Sequence, residues 1–233
     1  MALTVKICGL STPQALDAAL DAGADMVGFV FFPPSPRHVP FETARLLAAR
    51  VNGRAKKVAL TVDADDATFD AVIEALRPDL LQLHGREPPA RVAALNKRFG
   101  LPVMKAIAIE APGDLAAITA YLAVADRLLF DARAPREASR PGGLGKPFDW
   151  HILQNLNPGV PFMLSGGLDT NNVGVALRVT RAPGVDVSSG VERAPGEKDA
   201  GKIRAFLKAA RAAERVGSPL PLPVGERSAR NAG

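Results

Sequence analysis

Eight short apolar runs, alternating with segments of helical spacing, predict a single (β/α)8 barrel for this 233-residue chain. The runs fall at 5–7, 26–31, 58–62, 80–83, 103–107, 128–130, 162–164 and 185–187. Strict alternation calls for a parallel sheet covered by helices, and eight units is the number that closes. An open doubly wound sheet is the alternative, but the first turn lacks the G-x-G-x-x-G loop that many such sheets carry. The expected division is a barrel over residues 1–215 and a flexible tail over 216–233, where Pro219, Pro221 and Pro223 alternate and periodicity is lost.

The elements follow in order. In the first strand Val5 and Ile7 point one way, toward helices, while Lys6 and Cys8 point the other. Gly9 turns the chain, Thr12 is placed to cap a helix, and Pro13 suits its first position. That helix is marked by Leu16, Ala19 and Leu20, the second by Phe41, Ala44 and Ala48, and the third by Phe69, Val72, Ile73 and Leu76. Val92, Leu95 and Phe99 mark the fourth; Leu115, Ile118 and Leu122 the fifth. The sixth, over 150–156, has the poorest spacing; Val173, Ala176 and Leu177 mark the seventh, and Ile203, Phe206, Leu207 and Ala210 the last.

Composition narrows the function classes. One cysteine excludes an internal disulfide and a multi-cysteine metal site, and suits a reducing compartment. No signal-like segment opens the chain and no apolar run nears the roughly 20 residues that span a bilayer, so a soluble, cytoplasmic protein without a membrane partner is expected. The net charge is +5, but +4 of it comes from Arg204 onward, and aromatics are 5% of residues, leaving little on which to stack bases. A nucleic-acid partner is therefore not expected. Three histidines show no metal-ligand spacing.

In a barrel the chemistry belongs to the loops after the strands. Cys8 ends strand one; a lone cysteine is either a small buried hydrophobe or a reactive thiol. Asp131 ends strand six and shares a face with Leu129, so it either caps the next turn or overlooks the barrel mouth as an acid. Gln82 and His84 share a face at the end of strand four, where both are expected to contact substrate and His84 is alternatively an acid or a base. Arg37 follows strand two behind three prolines and can grip a carboxylate. Gly166 and Gly167 after strand seven, with Asp186, Ser188, Ser189 and Gly190 around the end of strand eight, occupy the usual phosphate position of such barrels. The stretch 133–146, with Gly142, Gly143 and Gly145, reads as a mobile flap.

Taken together, Val5-Lys6-Ile7-Cys8-Gly9, Gly28-Phe29-Val30-Phe31 with Ser35-Pro36-Arg37, Gln82-Leu83-His84-Gly85, Asp131, Gly142-Gly143-Leu144-Gly145 before Phe148-Asp149-Trp150, Gly166-Gly167 and the stretch 186–192 resemble the phosphoribosylanthranilate isomerase family of tryptophan biosynthesis, over residues 5 to about 213. The resemblance implies a cofactor-free barrel that performs an Amadori rearrangement on a phosphorylated small molecule, as a monomer or homodimer. It implies Asp131 as general acid and Cys8 as general base. Arg37 would hold the substrate carboxylate, and amides near Gly166, Gly167, Ser188 and Ser189 the phosphate. Two departures stand out: Leu60-Thr61-Val62 where family members carry phenylalanine, and Leu144 where threonine is common.

The related isomerase of histidine biosynthesis uses an aspartate where Cys8 stands, and a noncatalytic phosphoribosyl-binding barrel would not need both Cys8 and Asp131. One further expectation comes from topology. Lys6 and Asp186 face inward on strands that a closed barrel makes neighbours, so they should form a buried pair, since an unpaired charge there is costly.

Overall fold

The computed structural model of the chain describes residues 2–134 and 147–217. Eight parallel strands close a barrel in sequence order: β1 (Thr4–Cys8), β2 (Met26–Phe31), β3 (Lys56–Thr61), β4 (Leu80–Leu83), β5 (Val103–Ile109), β6 (Arg127–Ala132), β7 (Phe162–Leu164) and β8 (Gly184–Val187). The ring closes where β1 pairs with β8, with Lys6 opposite Asp186 and Ile7 opposite Val187. All eight predicted runs are strands.

Side-chain alternation divides the strands between two cores. Val5, Ile7, Val27, Phe29, Leu81, Leu83, Leu128 and Phe130 point outward and are buried under the helices. Inside the ring, Met26, Val58, Leu80, Met104, Leu129 and Met163 pack into an apolar floor. Above the floor the interior turns polar: Lys6, Gln82 and Asp186 are buried there, and Asp131 follows at the rim.

Helices α1 (Pro13–Asp21), α2 (Phe41–Val51), α3 (Asp66–Leu76), α4 (Pro89–Phe99), α5 (Val173–Thr180) and α6 (Ala200–Gly217) cover the barrel. Thr12 caps α1 as expected, its hydroxyl oxygen accepting from the Ala15 amide at 3.3 Å. The fifth and sixth predicted α-helices are corrected to 3-10 turns, at Pro112–Ala120 and Trp150–Leu153. Each buries one side chain, Ile118 and Leu153, too little apolar contact to hold the wider α-helical stripe. Asn155 at φ +64°, followed by Pro158, stops the second from lengthening. A two-stranded hairpin absent from the sequence reading, β9 (Glu192–Ala194) and β10 (Glu197–Lys198), folds back beside the end of β8. The expected flap, including Leu144, and the tail beyond Gly217 lie outside the described residues, apart from Arg133 and Ala134 at the flap's start and Pro147 beyond its end. Among the described residues no helix is long and apolar enough to cross a membrane.

Candidate active site

One pocket opens at the carboxyl ends of the strands, as the barrel architecture requires. Its wall carries Cys8 from β1, Arg37 from the β2 loop, His84 after β4 and Asp131 from β6. The loops after β7 and β8 contribute Ser165, Gly166, Gly167, Ser188 and Ser189. Val30, Phe32, Leu60 and Val62 form an apolar side. The departures in strand three thus leave an aliphatic surface here, with Thr61 buried and pointing away.

Asp131 is held by an imidazole and a backbone amide. Its Oδ1 accepts from the Ala132 amide at 2.9 Å, and its Oδ2 lies 3.0 Å from His84 Nε2. His84 Nδ1 in turn lies 2.9 Å from the Gln82 side-chain nitrogen. The chain Gln82–His84–Asp131 runs from the barrel interior to the rim. Gln82 is fully buried and does not line the pocket, so it is a second member of this chain rather than a contact surface. Its side-chain oxygen has no partner among the described residues. Gly166 fits tightly against the acid: at φ +85°, an added Cβ would lie 2.4 Å from the Ala132 nitrogen and 3.0 Å from Asp131 Oδ1.

Cys8 sits among charges. It is 3% exposed. Lys6, two residues earlier on the same face, is fully buried and donates to Asp186 Oδ1 at 2.8 Å. The expected pair is present. Asp186 also lies 3.4 Å from the Ser165 hydroxyl. Burial pushes the Cys8 thiol up from its ordinary value, and the nearby Lys6 ammonium opposes that push.

A second charged cluster joins the β2 and β8 loops. Glu192 accepts from Arg37 Nε at 2.7 Å and from Nη2 at 2.8 Å, a two-point pair, and from Lys198 Nζ at 2.7 Å. Burial alone would raise Glu192, but the bonds from Arg37 and Lys198 hold it below the usual carboxylate value. Lys198 also donates to the Ser188 carbonyl at 2.8 Å and lies 3.1 Å from its hydroxyl, which donates to the Cys8 carbonyl at 3.2 Å. Burial pushes Lys198 down to about 8, with Glu192 acting in the other direction.

The structure therefore brings Cys8, Arg37, His84, Asp131, Gly166, Gly167, Asp186, Ser188 and Ser189 to one pocket. Gly190 stands behind it, with the Leu168 carbonyl 1.9 Å from where a Cβ would go, so it packs the β7 and β8 loops together. The sequence reading assigned no role to Glu192 or Lys198. Glu192 lay within a recognised stretch, whereas no local pattern marked Lys198.

A closed parallel barrel with an acid, a thiol and glycine-bearing loops gathered at its strand ends defines a (β/α)8-barrel enzyme, an isomerase by the relatives that share it. The family model for N-(5'-phosphoribosyl)anthranilate isomerase matches residues 5–209. The N-(5'-phosphoribosyl)anthranilate isomerase of Nitrobacter hamburgensis is 69% identical over 214 residues, covering 92% of this chain and 95% of its own. The crystal structure of the Thermotoga maritima phosphoribosyl anthranilate isomerase superposes with a TM-score of 0.81 at 33% identity, over 90% of this chain and 99% of its own. A further isomerase structure, in complex with reduced 1-(o-carboxyphenylamino)-1-deoxyribulose 5-phosphate, gives a TM-score of 0.79 at 31% identity over 90% of this chain and 99% of its own. The chain belongs to the N-(5'-phosphoribosyl)anthranilate isomerase family of tryptophan biosynthesis.

Proposed function

We propose that the chain converts N-(5'-phosphoribosyl)anthranilate into 1-(2-carboxyphenylamino)-1-deoxyribulose 5-phosphate, with Asp131 as general acid and Cys8 as general base. The observation that carries this reading is that the Cys8 thiol and the Asp131 carboxyl group, from separate strand ends, line the same pocket. The relative solved with a reduced product analogue supports the substrate class.

Asp131 gives its proton to the furanose ring oxygen, the C1–O bond breaks, and the anilino nitrogen lone pair forms an iminium. His84 serves either form of the acid, because Nε2 donates to the carboxylate and accepts from the carboxylic acid, while Gln82 follows the other ring nitrogen. Cys8 as thiolate then removes the C2 proton, which the iminium has made more acidic, and the enolamine tautomerises to the ketone. Arg37, oriented by Glu192, holds the anthranilate carboxylate, and the aromatic ring lies on Val30, Phe32, Leu60 and Val62. Asp186 contacts the sugar, and the loops around Gly166, Gly167, Ser188, Ser189 and Gly190 take the phosphate.

A tryptophan auxotroph that lacks this isomerase tests the reading. Expression of the native chain should restore growth and Asp131→Asn should not; growth with Asp131→Asn equal to the native would overturn the assignment of the acid.

A further inference from the structure

The sulfur's corner of the barrel holds a charged group that the proposed reaction does not use. Lys6 is fully buried and its ammonium is paired with Asp186. A buried ion pair is poor evidence of added stability, since desolvation offsets much of the attraction. Its position beside the thiol points to a different use.

Gly28 on β2 supplies the geometry. It stands in register with Cys8, and a Cβ added there would lie 2.9 Å from Cys8 Sγ, 3.0 Å from Lys6 Cε and 3.1 Å from Lys6 Nζ. The lack of a side chain at Gly28 lets sulfur and ammonium gather around one point inside the ring. We propose that Lys6 is a positioning residue for proton abstraction, its ammonium compensating the Cys8 thiolate in place while Asp186 limits that compensation as a competing counter-ion. The inference rests on Cys8 being the base.

Three charged groups act on the sulfur: Lys6 from β1, Asp186 from β8 and Lys198 from the β9–β10 hairpin, and Arg37 and Asp131 line the same pocket. Burial raises the thiol most; Lys6 lowers it, Asp186 raises it, and Lys198 lowers it. The resting sulfur is therefore a thiol that ionises in a minority of molecules. That thiol releases its proton to water in the open pocket. The thiolate then takes the C2 proton, the C–H electron pair becomes the C1–C2 double bond, and the iminium nitrogen accepts the displaced π electrons.

Because the chain has one cysteine, the pH dependence of its alkylation rate reports the ionisation of a single thiol. The test is its pH titration in the native chain, Lys6→Met, Lys6→Arg and Asp186→Asn, with circular dichroism as the check on folding. Lys6→Met should raise the midpoint enough to lower the thiolate fraction at neutral pH about tenfold, one pKa unit. Asp186→Asn should shift it the opposite way, and Lys6→Arg should stay nearer the native value than Lys6→Met. Opposite signs from the two partners of one ion pair are what a purely structural pair would not produce. A Lys6→Met midpoint equal to the native one, or shifts of the same sign in Lys6→Met and Asp186→Asn, would overturn the proposal. If either single variant fails to fold, the double variant Lys6→Met/Asp186→Asn removes both charges together; its midpoint should lie above the native one, since Lys6 acts more strongly on the sulfur than Asp186, and an unchanged or lower midpoint would overturn it. Turnover by Cys8→Ala would sink the assignment of the base while leaving the titration result standing, so the two failures are distinguishable.

Discussion

The two sides of the pocket solve opposite problems with different materials. Around Asp131 the partners are an imidazole, an amide side chain and a backbone N–H, which carry a proton or follow one without fixing a charge. Around Cys8, beside an apolar wall of Val30 and Leu60, lie ions: Lys6 with Asp186, and Lys198 with Glu192 and Arg37 beyond it. An acid must hold its proton until the substrate arrives, and a base must be rid of its own. A hydrogen-bonded chain through an imidazole suits the first task, and nearby cations in a low-dielectric interior suit the second. In the proposed reaction, the difference teaches that one barrel rim can serve proton donation and proton abstraction by changing what lies behind each group.

The contrast is broken most severely by removing the two proposed reacting groups. Asp131→Asn or Cys8→Ala should each lower kcat by about 10²–10⁴-fold, the usual contribution of a positioned acid or base, in a steady-state assay of purified protein. Next comes the charged side. Glu192→Gln leaves Arg37 and Lys198 buried without their carboxylate, and should lower unfolding stability by about 3–5 kcal/mol in a denaturant titration.

The same side makes stability depend on pH. Lys198 has its folded-state value depressed from 10.5 to about 8, so between these limits the unfolded chain binds more protons than the folded one. Lys198 should therefore contribute a rise of at most about 3 kcal/mol between pH 8 and 10.5, against the opposite contributions of Cys8, Lys6 and Tyr121, whose folded-state values are raised; the native curve minus that of Lys198→Met should show this rise. A native curve parallel to that of Lys198→Met across this window would contradict the placement of the ammonium. The Asp131 side should respond least. Gln82→Leu keeps the volume, removes one hydrogen bond to His84 and should cost about 1 kcal/mol, with kcat changed less than tenfold.

The fold was largely legible because each strand is a short apolar run with its own turn signals, and because alternation separated Val5 and Ile7 from Lys6 and Cys8 without reference to the rest of the chain. Topology then carried one long-range statement, the Lys6–Asp186 pair, since ring closure makes β1 and β8 neighbours. The helices at 112–120 and 150–153 were misread because spacing alone does not say how much apolar surface finds a partner. In the site, Cys8, Arg37, His84 and Asp131 were visible as polar residues at strand ends. Lys198 was not: its role depends on a hairpin that folds it under Ser188, and nothing within a few residues of it announces that contact. That Gln82 and His84 share a face followed from strand alternation, but the hydrogen bonds linking them to Asp131 and Gln82's complete burial did not.

The proposed reaction requires the Cys8 sulfur to be open to the pocket and needed for turnover. Stoichiometric alkylation of the chain's one cysteine, followed by activity in the same sample, tests this most directly. Activity should fall in proportion to the fraction alkylated, and a bound product analogue should slow both together. An alkylated protein that still turns over at the native rate would contradict the account.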